Sequence, residues 1–106
     1  MTGIELIAVE RQRQIAVEGW TPEHDDEHDA GQLSEAAACY ADLAAYQGSH
    51  VDSPIDKRPP MGWPWSPDWW KPSPDLIRNL VKAGALIAAE IDRLQRSHKE
   101  EGKVSE

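Results

Sequence analysis

The segment between residues 48 and 74 constrains the fold more than any other part of the sequence. It holds seven of the eight prolines and four of the five tryptophans. Proline removes a backbone donor and restricts the residue before it, so regular structure longer than a turn is not expected here. Four indoles carry too much apolar surface to remain in water. We therefore expect a long ordered loop, packed back on its neighbours or around a ligand.

Helical patterns precede this loop. Thr2 and Glu5 form a capping box, and a first helix is predicted to run to about Glu18, with Gly19 as its stop and an extended or turning segment after it. Its apolar arc consists of Ile4, Ile7, Ala8 and Ile15. A second helix is predicted to begin in the acidic block 24–29 and to end near Gly48, since acids and Asp caps favour helix starts. Its apolar stripe consists of Leu33, Ala36, Ala37, Tyr40, Leu43 and Ala44.

A third helix is predicted after the loop, with Ser73 as cap and Pro74 in its first turn. Apolar residues follow at alternating three- and four-residue spacing, and Gly84 marks a close contact. This heptad-like seam consists of Ile77, Leu80, Gly84, Ile87, Ile91 and Leu94. The sequence predicts an all-α fold, a compact three-helix domain over residues 1–96 with a long Trp/Pro-rich ordered loop between helices 2 and 3. Residues 97–106 are predicted to form a flexible polar tail.

The charge distribution argues against some partners. Residues 1–50 carry 10 acids against Arg11 and Arg13, whereas residues 51–106 carry 9 acids and 9 bases. A surface with this sign repels the phosphates of long nucleic acids, so we expect no such partner. No apolar run is long enough to cross a bilayer and no signal peptide is evident, which predicts a cytoplasmic protein without a membrane partner. Cys39 is the only cysteine, so no intrachain disulfide can form.

Arg11 is the most informative residue of the first predicted helix, because it points into the middle of the apolar arc. A charge that faces a core needs a partner or a ligand. One interpretation is an ion pair with an acid of the second helix, or a side chain that extends to water. The other is a contact with a bound anion. Arg13 lies off the arc and is expected to be solvated.

The block from His24 to Asp29 admits a metal site, because His24 and His28 can share a helical face beside carboxylates. His50 and His98 are isolated in sequence and no cysteine pair exists, so a second ligand cluster is missing. We favour an acidic helix-capping segment and expect no metal and no cofactor. No phosphate-binding glycine loop or nucleophile elbow is present, so no catalytic residue is assigned.

The loop indoles allow two interpretations. They can complete a core that three short helices cannot fill, or they can stack on a nucleobase whose phosphate is held by nearby cations. The residues concerned are Trp63, Trp65, Trp69 and Trp70, with Lys57, Arg58 and Lys71. If most of these indoles pack in the core, one or two exposed indoles still suffice for a ligand-binding site.

Several runs together resemble a family of small uncharacterised phage and prophage proteins, over nearly the whole chain up to about Arg96. These runs are ERQRQI (10–15), EGWTPEHDDEH (18–28), AAACYA (36–41), WPW (63–65), WWKP (69–72) and LVKAGALI (80–87). The resemblance implies a phage or prophage origin and a bacterial host cell.

Two wider families are also similar. Residues 18–21 with Asp25 and Asp26 resemble the opening of ryanodine-receptor repeat (RyR) domains. These are helical modules implicated in recognising nucleotide-type ligands. The positions of this sequence that correspond to the family's pattern are Arg13, Trp20 and Asp26. The order of elements resembles MazG-type nucleotide pyrophosphohydrolases, which hold magnesium with carboxylate pairs. Of the first carboxylate pair, this sequence keeps only Glu35. Asn79 and Lys82 lie near the positions where the second carboxylate pair would be expected. This resemblance implies binding without hydrolysis.

The resulting hypothesis is a non-enzymatic protein that binds a small nucleotide-like ligand and sequesters a host immune signal. Arginine would neutralise phosphate and indoles would stack on the base. Its predicted ligand-binding residues are Arg11, Arg13, Trp20, Asp26, Trp65, Trp69 and Lys71. Two alternatives stay open. One is a metal-dependent nucleotide hydrolase using Glu35, His24, Asp25, His28 and Asp29. The other is a protein-interaction module. A homo-oligomer is expected in either case, since three short helices bury little surface.

Overall fold

The computed structural model describes residues 1–51 and 53–100, and this part of the chain is all-helical, without a strand. The predicted all-α class is therefore confirmed. The long helix α4 packs along α3, and α1 and α2 contact α4 beside it. No helix in the described ranges is both long and apolar enough to cross a membrane. The helices are α1 (Gly3–Ala16), α2 (Pro22–Asp25), α3 (Gln32–Ser49) and α4 (Leu76–Glu100), with a 3-10 turn at Pro67–Trp69.

The capping box at Thr2 and Glu5 is present as predicted. The predicted extended or turning segment after Gly19 is present at Trp20 and Thr21, but it ends at Pro22, where residues 22–25 form the one-turn helix α2 that was not predicted. Thr21 caps α2 by accepting from the His24 N–H, and Pro22 occupies its first turn. A Thr-Pro pair is a helix-start signal of the same kind as Ser73-Pro74.

The second predicted helix begins later than expected. The acidic block 24–29 does not open it; α3 begins at Gln32, after Gly31 with a φ of 86°. A residue in the left-handed region ends one helical path and lets the chain turn before the next helix. The acids of this block therefore lie in α2 and in the connection to α3.

Helix α4 begins close to its predicted start. The Ser73 hydroxyl accepts from the Asp75 N–H, and the Asp75 carboxylate accepts from the Ile77 N–H. The helix continues to Glu100, past Ser97, where a flexible tail was predicted, because residues 97–100 contain no glycine or proline to end it. The rest of the predicted tail, residues 101–106, lies outside the described residues.

The core between α3 and α4 combines small side chains with a few large ones. Leu33, Tyr40 and Leu86 are buried among alanines, and Trp70 from the loop joins them. Trp63 and Trp65 are half-buried and pack against the same cluster. Because alanines let two helices approach closely but supply little volume, the loop indoles complete the core. The alanines are Ala36 and Ala37 of α3 and Ala83 and Ala89 of α4.

The buried faces of α1 and α4 differ from those that their apolar patterns suggest, by a partial rotation about the helix axis on α1 and by the opposite face on α4. On α1, Glu10, Arg11 and Gln14 are buried, whereas Ile4 is 82% exposed. On α4 the predicted seam faces outward, apart from Gly84, which Ile7 of α1 covers. The buried face of α4 instead carries Leu86, the alanines and ion-paired residues. Alanines occupy much of the α3–α4 contact, and the bulky aliphatic side chains of the predicted seam lie outside it.

Candidate functional site

A cavity of about 300 Å³ lies between the α1–α3 connection and the loop indoles. Its volume is at the lower end of the range for small-molecule sites, and most of its wall is aromatic. The lining residues are Glu18, Trp20, His24, Asp25, His28, Leu33, Trp65, Ser66 and Trp69. The cavity therefore brings together three of the predicted site residues, Trp20, Trp65 and Trp69.

Local backbone structure sets the positions of the three indoles. Gly19 has a φ of 77°, and the Trp20 N–H returns to donate to the Gln14 carbonyl over 3.0 Å. The 3-10 turn, capped by Ser66, carries Trp69 at its end while Trp65 precedes it. The Trp20 ring centroid lies 6.2 Å from that of Trp65 and 6.4 Å from that of Trp69, with tilted planes. Three tilted rings around one space can hold a flat group among them.

Arg11 faces inward, as the sequence predicted, but its guanidinium group is already paired with a carboxylate. Its Nη2 lies 2.6 Å from Asp25 Oδ2, and its Nη1 donates to the Trp20 carbonyl. Burial raises the pKa of Asp25, although Arg11 acts in the opposite direction. Arg11 does not line the cavity; it supports Asp25 and the Trp20 backbone, which do. Its predicted direct contact with a ligand is therefore not provided by this arrangement.

Arg13 is not freely solvated, contrary to the prediction. It donates to both carboxylate oxygens of Glu10 and to Glu18, and these hydrogen bonds raise its pKa. Glu10 also accepts from Arg78 of α4 over 2.6 Å. Glu18 lines the cavity, whereas Arg13 lines only a small adjoining cavity, which it shares with four other predicted site residues, Trp20, Trp65, Trp69 and Lys71.

Asp26 and Lys71 lie at the margins. Asp26 pairs with Arg96 of α4 over 2.8 Å and does not line the cavity. Lys71 Nζ lies 5.6 Å from the centroid of the Trp69 ring, within cation–π distance, and Lys71 borders the small adjoining cavity with Trp69. Within the described part of the chain, no carboxylate forms a salt bridge with Lys71. Of the cations predicted to bind a ligand, Lys71 is therefore the one that can pair with an anion at the edge of the cavity.

His24 and His28 both line the cavity, with ring centroids 5.0 Å apart. Burial, followed by the neighbouring His24, lowers the pKa of His28, which favours a neutral imidazole. Over residues 1–51 and 53–100, no group of three or more His, Cys, Asp or Glu side chains is placed to hold a metal ion. His28 therefore offers a neutral hydrogen-bonding group to a ligand.

Two polar atoms in these walls lack a hydrogen-bond partner among the described residues. They are Trp65 Nε1 and His24 Nδ1, and both are buried. Such atoms are uncommon in folded proteins, because leaving a buried polar group unpaired is unfavourable. Gln14 Oε1, Trp70 Nε1 and Arg96 Nε, which lie outside the cavity wall, also lack a partner among the described residues, so these atoms do not by themselves mark the cavity as a site.

The residues named for the hydrolase alternative are only partly gathered. His24, Asp25 and His28 line the cavity, whereas Asp29 and Glu35 are exposed and outside its lining. The buried Asn79 amide donates to Gln47 and to the Ser73 carbonyl.

Sequence reasoning missed Glu18, Leu33 and Ser66 as lining residues. The Ser66-Pro67-Asp68 run repeats the cap signal of Thr21-Pro22-Glu23 and could have located the 3-10 turn. A comparison with protein-family models, curated proteins and solved structures gives no match for this chain.

Proposed function

We propose that this chain is a non-enzymatic binding protein for a small nucleotide-like ligand, whose base enters the indole cavity. The observation that carries the proposal is the arrangement of Trp20, Trp65 and Trp69 around about 300 Å³ of space. Indoles stack on the face of any base, and each such contact contributes about 1–3 kcal/mol. A base is flat enough to fit between tilted rings and has polar edges for the histidines.

The phosphate of such a ligand belongs at the rim, beside Lys71. Arg11 and Arg13 are engaged by Asp25 and by Glu10 and Glu18, and two carboxylates line the cavity. A phosphate placed deep in the cavity would meet these acids without a free cation. Lys71 lies over Trp69, so a base against that ring can direct its phosphate toward the Lys71 ammonium group.

The proposed biological role follows from the resemblance to phage and prophage proteins. A protein that holds a nucleotide without converting it lowers the free concentration of that nucleotide. In an infected bacterial cell this would sequester an immune signal. The hydrolase alternative is tested by incubation with magnesium or manganese and nucleoside triphosphates, in which product formation would favour an enzyme.

Isothermal titration and tryptophan fluorescence test the binding proposal directly. The panel consists of mononucleotides, cyclic dinucleotides and ADP-ribose derivatives. Binding should quench the cavity indoles, and Trp69→Ala should weaken it about tenfold, because one stacking face is lost. Tyr46→Ala is the matched control, since Tyr46 and Trp69 are both 45% exposed and Tyr46 stacks on His50 outside the cavity.

A second variant tests the phosphate position. Lys71→Ala should weaken a nucleotide more than the matching nucleoside, and added salt should reduce that difference. Arg58→Ala, which removes an exposed cation outside both cavities, should change neither affinity. The absence of binding across the whole panel would remove the proposal.

A further inference from the structure

The outward face of α4 carries large aliphatic side chains that the fold leaves in solvent. Between Ile77 and Leu94 it displays five of them, with Gly84 in the middle; we name these six residues the α4 stripe. The exposed fractions are 60% for Ile77, 48% for Leu80, 49% for Ile87, 51% for Ile91 and 40% for Leu94. An exposed apolar patch of this kind often marks an interaction site.

The spacing within the α4 stripe matches helix pairing. Its members follow at three, four, three, four and three residues, the 3.5-residue average of a helix that packs along another helix. The core side of α4 does not need this period, because α3 contacts Leu86 and the alanines there. Apart from Gly84, which Ile7 of α1 covers, the members of the stripe are exposed and fit a second helix.

We propose that the α4 stripe is the interface through which two copies of this chain pair, with their α4 helices antiparallel about a two-fold axis. A two-fold interface requires one surface that complements itself. The stripe meets this requirement because its spacing reads the same in both directions. Antiparallel pairing places Ile77 opposite Leu94 of the second copy and Leu80 opposite Ile91.

Charge also favours a second copy at this face. Within the arc from Ile77 to Leu94 the stripe contains no ionisable residue, although the chain carries a net charge of -8. Three arginines of α4 are directed elsewhere: Arg78 pairs with Glu10, Arg93 with Glu90 and Arg96 with Asp26. Two copies can therefore approach through this face without bringing like charges together, whereas the acidic first half of the chain would repel itself.

The size of the surface suits a small dimer. From Ile77 to Leu94 the stripe is about 26 Å long at 1.5 Å per residue. Ile7 of α1 packs on Gly84, and Ile4, one turn away on the same face of α1, is 82% exposed and widens the apolar surface. With α1 about 10 Å away, the footprint is roughly 500 Å². Accessible area exceeds a flat footprint, so this approaches the ~800 Å² that each partner of a typical complex contributes.

Light scattering coupled to size exclusion, with sedimentation over the micromolar range, tests the proposal on the full chain. Wild type should have twice the chain mass, and Ile87→Glu should weaken dimerisation at least about tenfold, because a carboxylate would be buried in the interface. Val9→Glu is the matched control: Val9 is 53% exposed on α1, about half a helical turn from the face that carries Ile7. Circular dichroism verifies that both variants fold.

Cross-linking tests the direction of pairing. In a Cys39→Ala background, the double variant Ile77→Cys with Leu94→Cys should form covalent dimers on oxidation, and neither single variant should. Covalent dimers from the single variants would overturn the antiparallel arrangement. A wild type with the mass of one chain throughout the range, or an unchanged Ile87→Glu dimer, would overturn the interface. Nucleotide titration of Ile87→Glu separates the two proposals, since its cavity is intact.

Discussion

Arg11 Nη2 lies 2.6 Å from Asp25 Oδ2, and the two side chains retain only 11% and 2% of their exposure. The same guanidinium donates to the Trp20 carbonyl. One residue of α1 therefore holds both the start of the α1–α3 connection and the last residue of α2. Because Trp20 and Asp25 line the cavity, the shape of the candidate site depends on a side chain that does not line it.

Breaking this pair should be costly. Asp25→Ala leaves a guanidinium buried with the Trp20 carbonyl as its remaining partner, and Arg11→Ala leaves a buried carboxylate. Each should lower the free energy of unfolding by about 3–5 kcal/mol. The double variant Arg11→Met with Asp25→Leu should lose less than the sum. Urea denaturation followed by circular dichroism measures all three.

The exposed pair Arg58–Asp56 is the control for that experiment. Its side chains are 87% and 59% exposed, so water and salt screen the interaction. Arg58→Ala should leave the urea midpoint unchanged. A loss equal to that of Arg11→Ala would show that burial does not govern the strength of these pairs.

Much of the secondary structure was predictable because caps and stops are local signals. Thr2 with Glu5, Gly19 and Ser73 all act where the sequence places them or within a few residues. Arg11 was predicted to face inward, and it does. Its pair with Asp25 matches one of the two interpretations, an acid from the block predicted to start the second helix. The sequence did not identify which acid, because that depends on how the chain turns at Gly19 and on the unrecognised helix α2.

Glu10 makes stability depend on pH. Burial acts to raise its pKa, but hydrogen bonds from Arg13 and Arg78 outweigh burial, so the pKa is lowered from 4.5. A carboxyl with a lowered folded-state pKa stabilises the fold above its unfolded-state value. That stabilisation is lost as pH falls from about 4.5 through the folded-state pKa.

Glu10→Gln should therefore be less stable than wild type at pH 7, by about 1–3 kcal/mol, and its stability should fall less steeply below pH 4.5. Urea midpoints across the acid range measure both effects. Glu35→Gln, at an exposed position of α3, should retain the wild-type slope. Identical slopes for Glu10→Gln and wild type would contradict the assignment.

Two leucines of α4 distinguish its faces. Leu86 is 1% exposed and Leu80 is 48% exposed. Leu86→Ala should cost about 2–5 kcal/mol of stability, because it leaves a cavity beside α3. Leu80→Ala should cost much less in a chain already made monomeric by Ile87→Glu, where unfolding reports intrachain contacts alone. Equal losses in that background would mean that the outward stripe contacts the rest of its own chain.

Gly84 and Ile7 should show compensating effects. A Cβ at Gly84 would lie 2.5 Å from Ile7 Cδ1 and 2.8 Å from its Cγ1. Gly84→Leu should therefore destabilise the chain by about 1–3 kcal/mol through overpacking. Ile7→Ala in the same chain should restore part of the loss by opening space. Thermal melts of both single variants and of the double variant give the coupling; additivity would exclude the contact.

The faces of α1 and α4 could not be predicted from periodicity. An apolar arc indicates which side of a helix avoids water, but it does not distinguish burial in the same chain from burial in a partner. On α4 both sides are apolar, one with alanines and one with branched side chains, and the seam drew attention to the outer side. On α1 the buried side holds Glu10 and Gln14, whose hydrogen bonds depend on Arg78, distant in sequence.

The alanine-lined contact between α3 and α4 has a consequence for how this chain can be altered. Those two helices cannot form a stable hairpin alone, because Trp70, Trp63 and Trp65 supply the bulk that their alanines lack. The loop that joins α3 and α4 therefore supplies part of the core on which both helices pack. An inserted domain, a chain cut or a new terminus between residues 63 and 70 would therefore remove part of the core and should destabilise the fold.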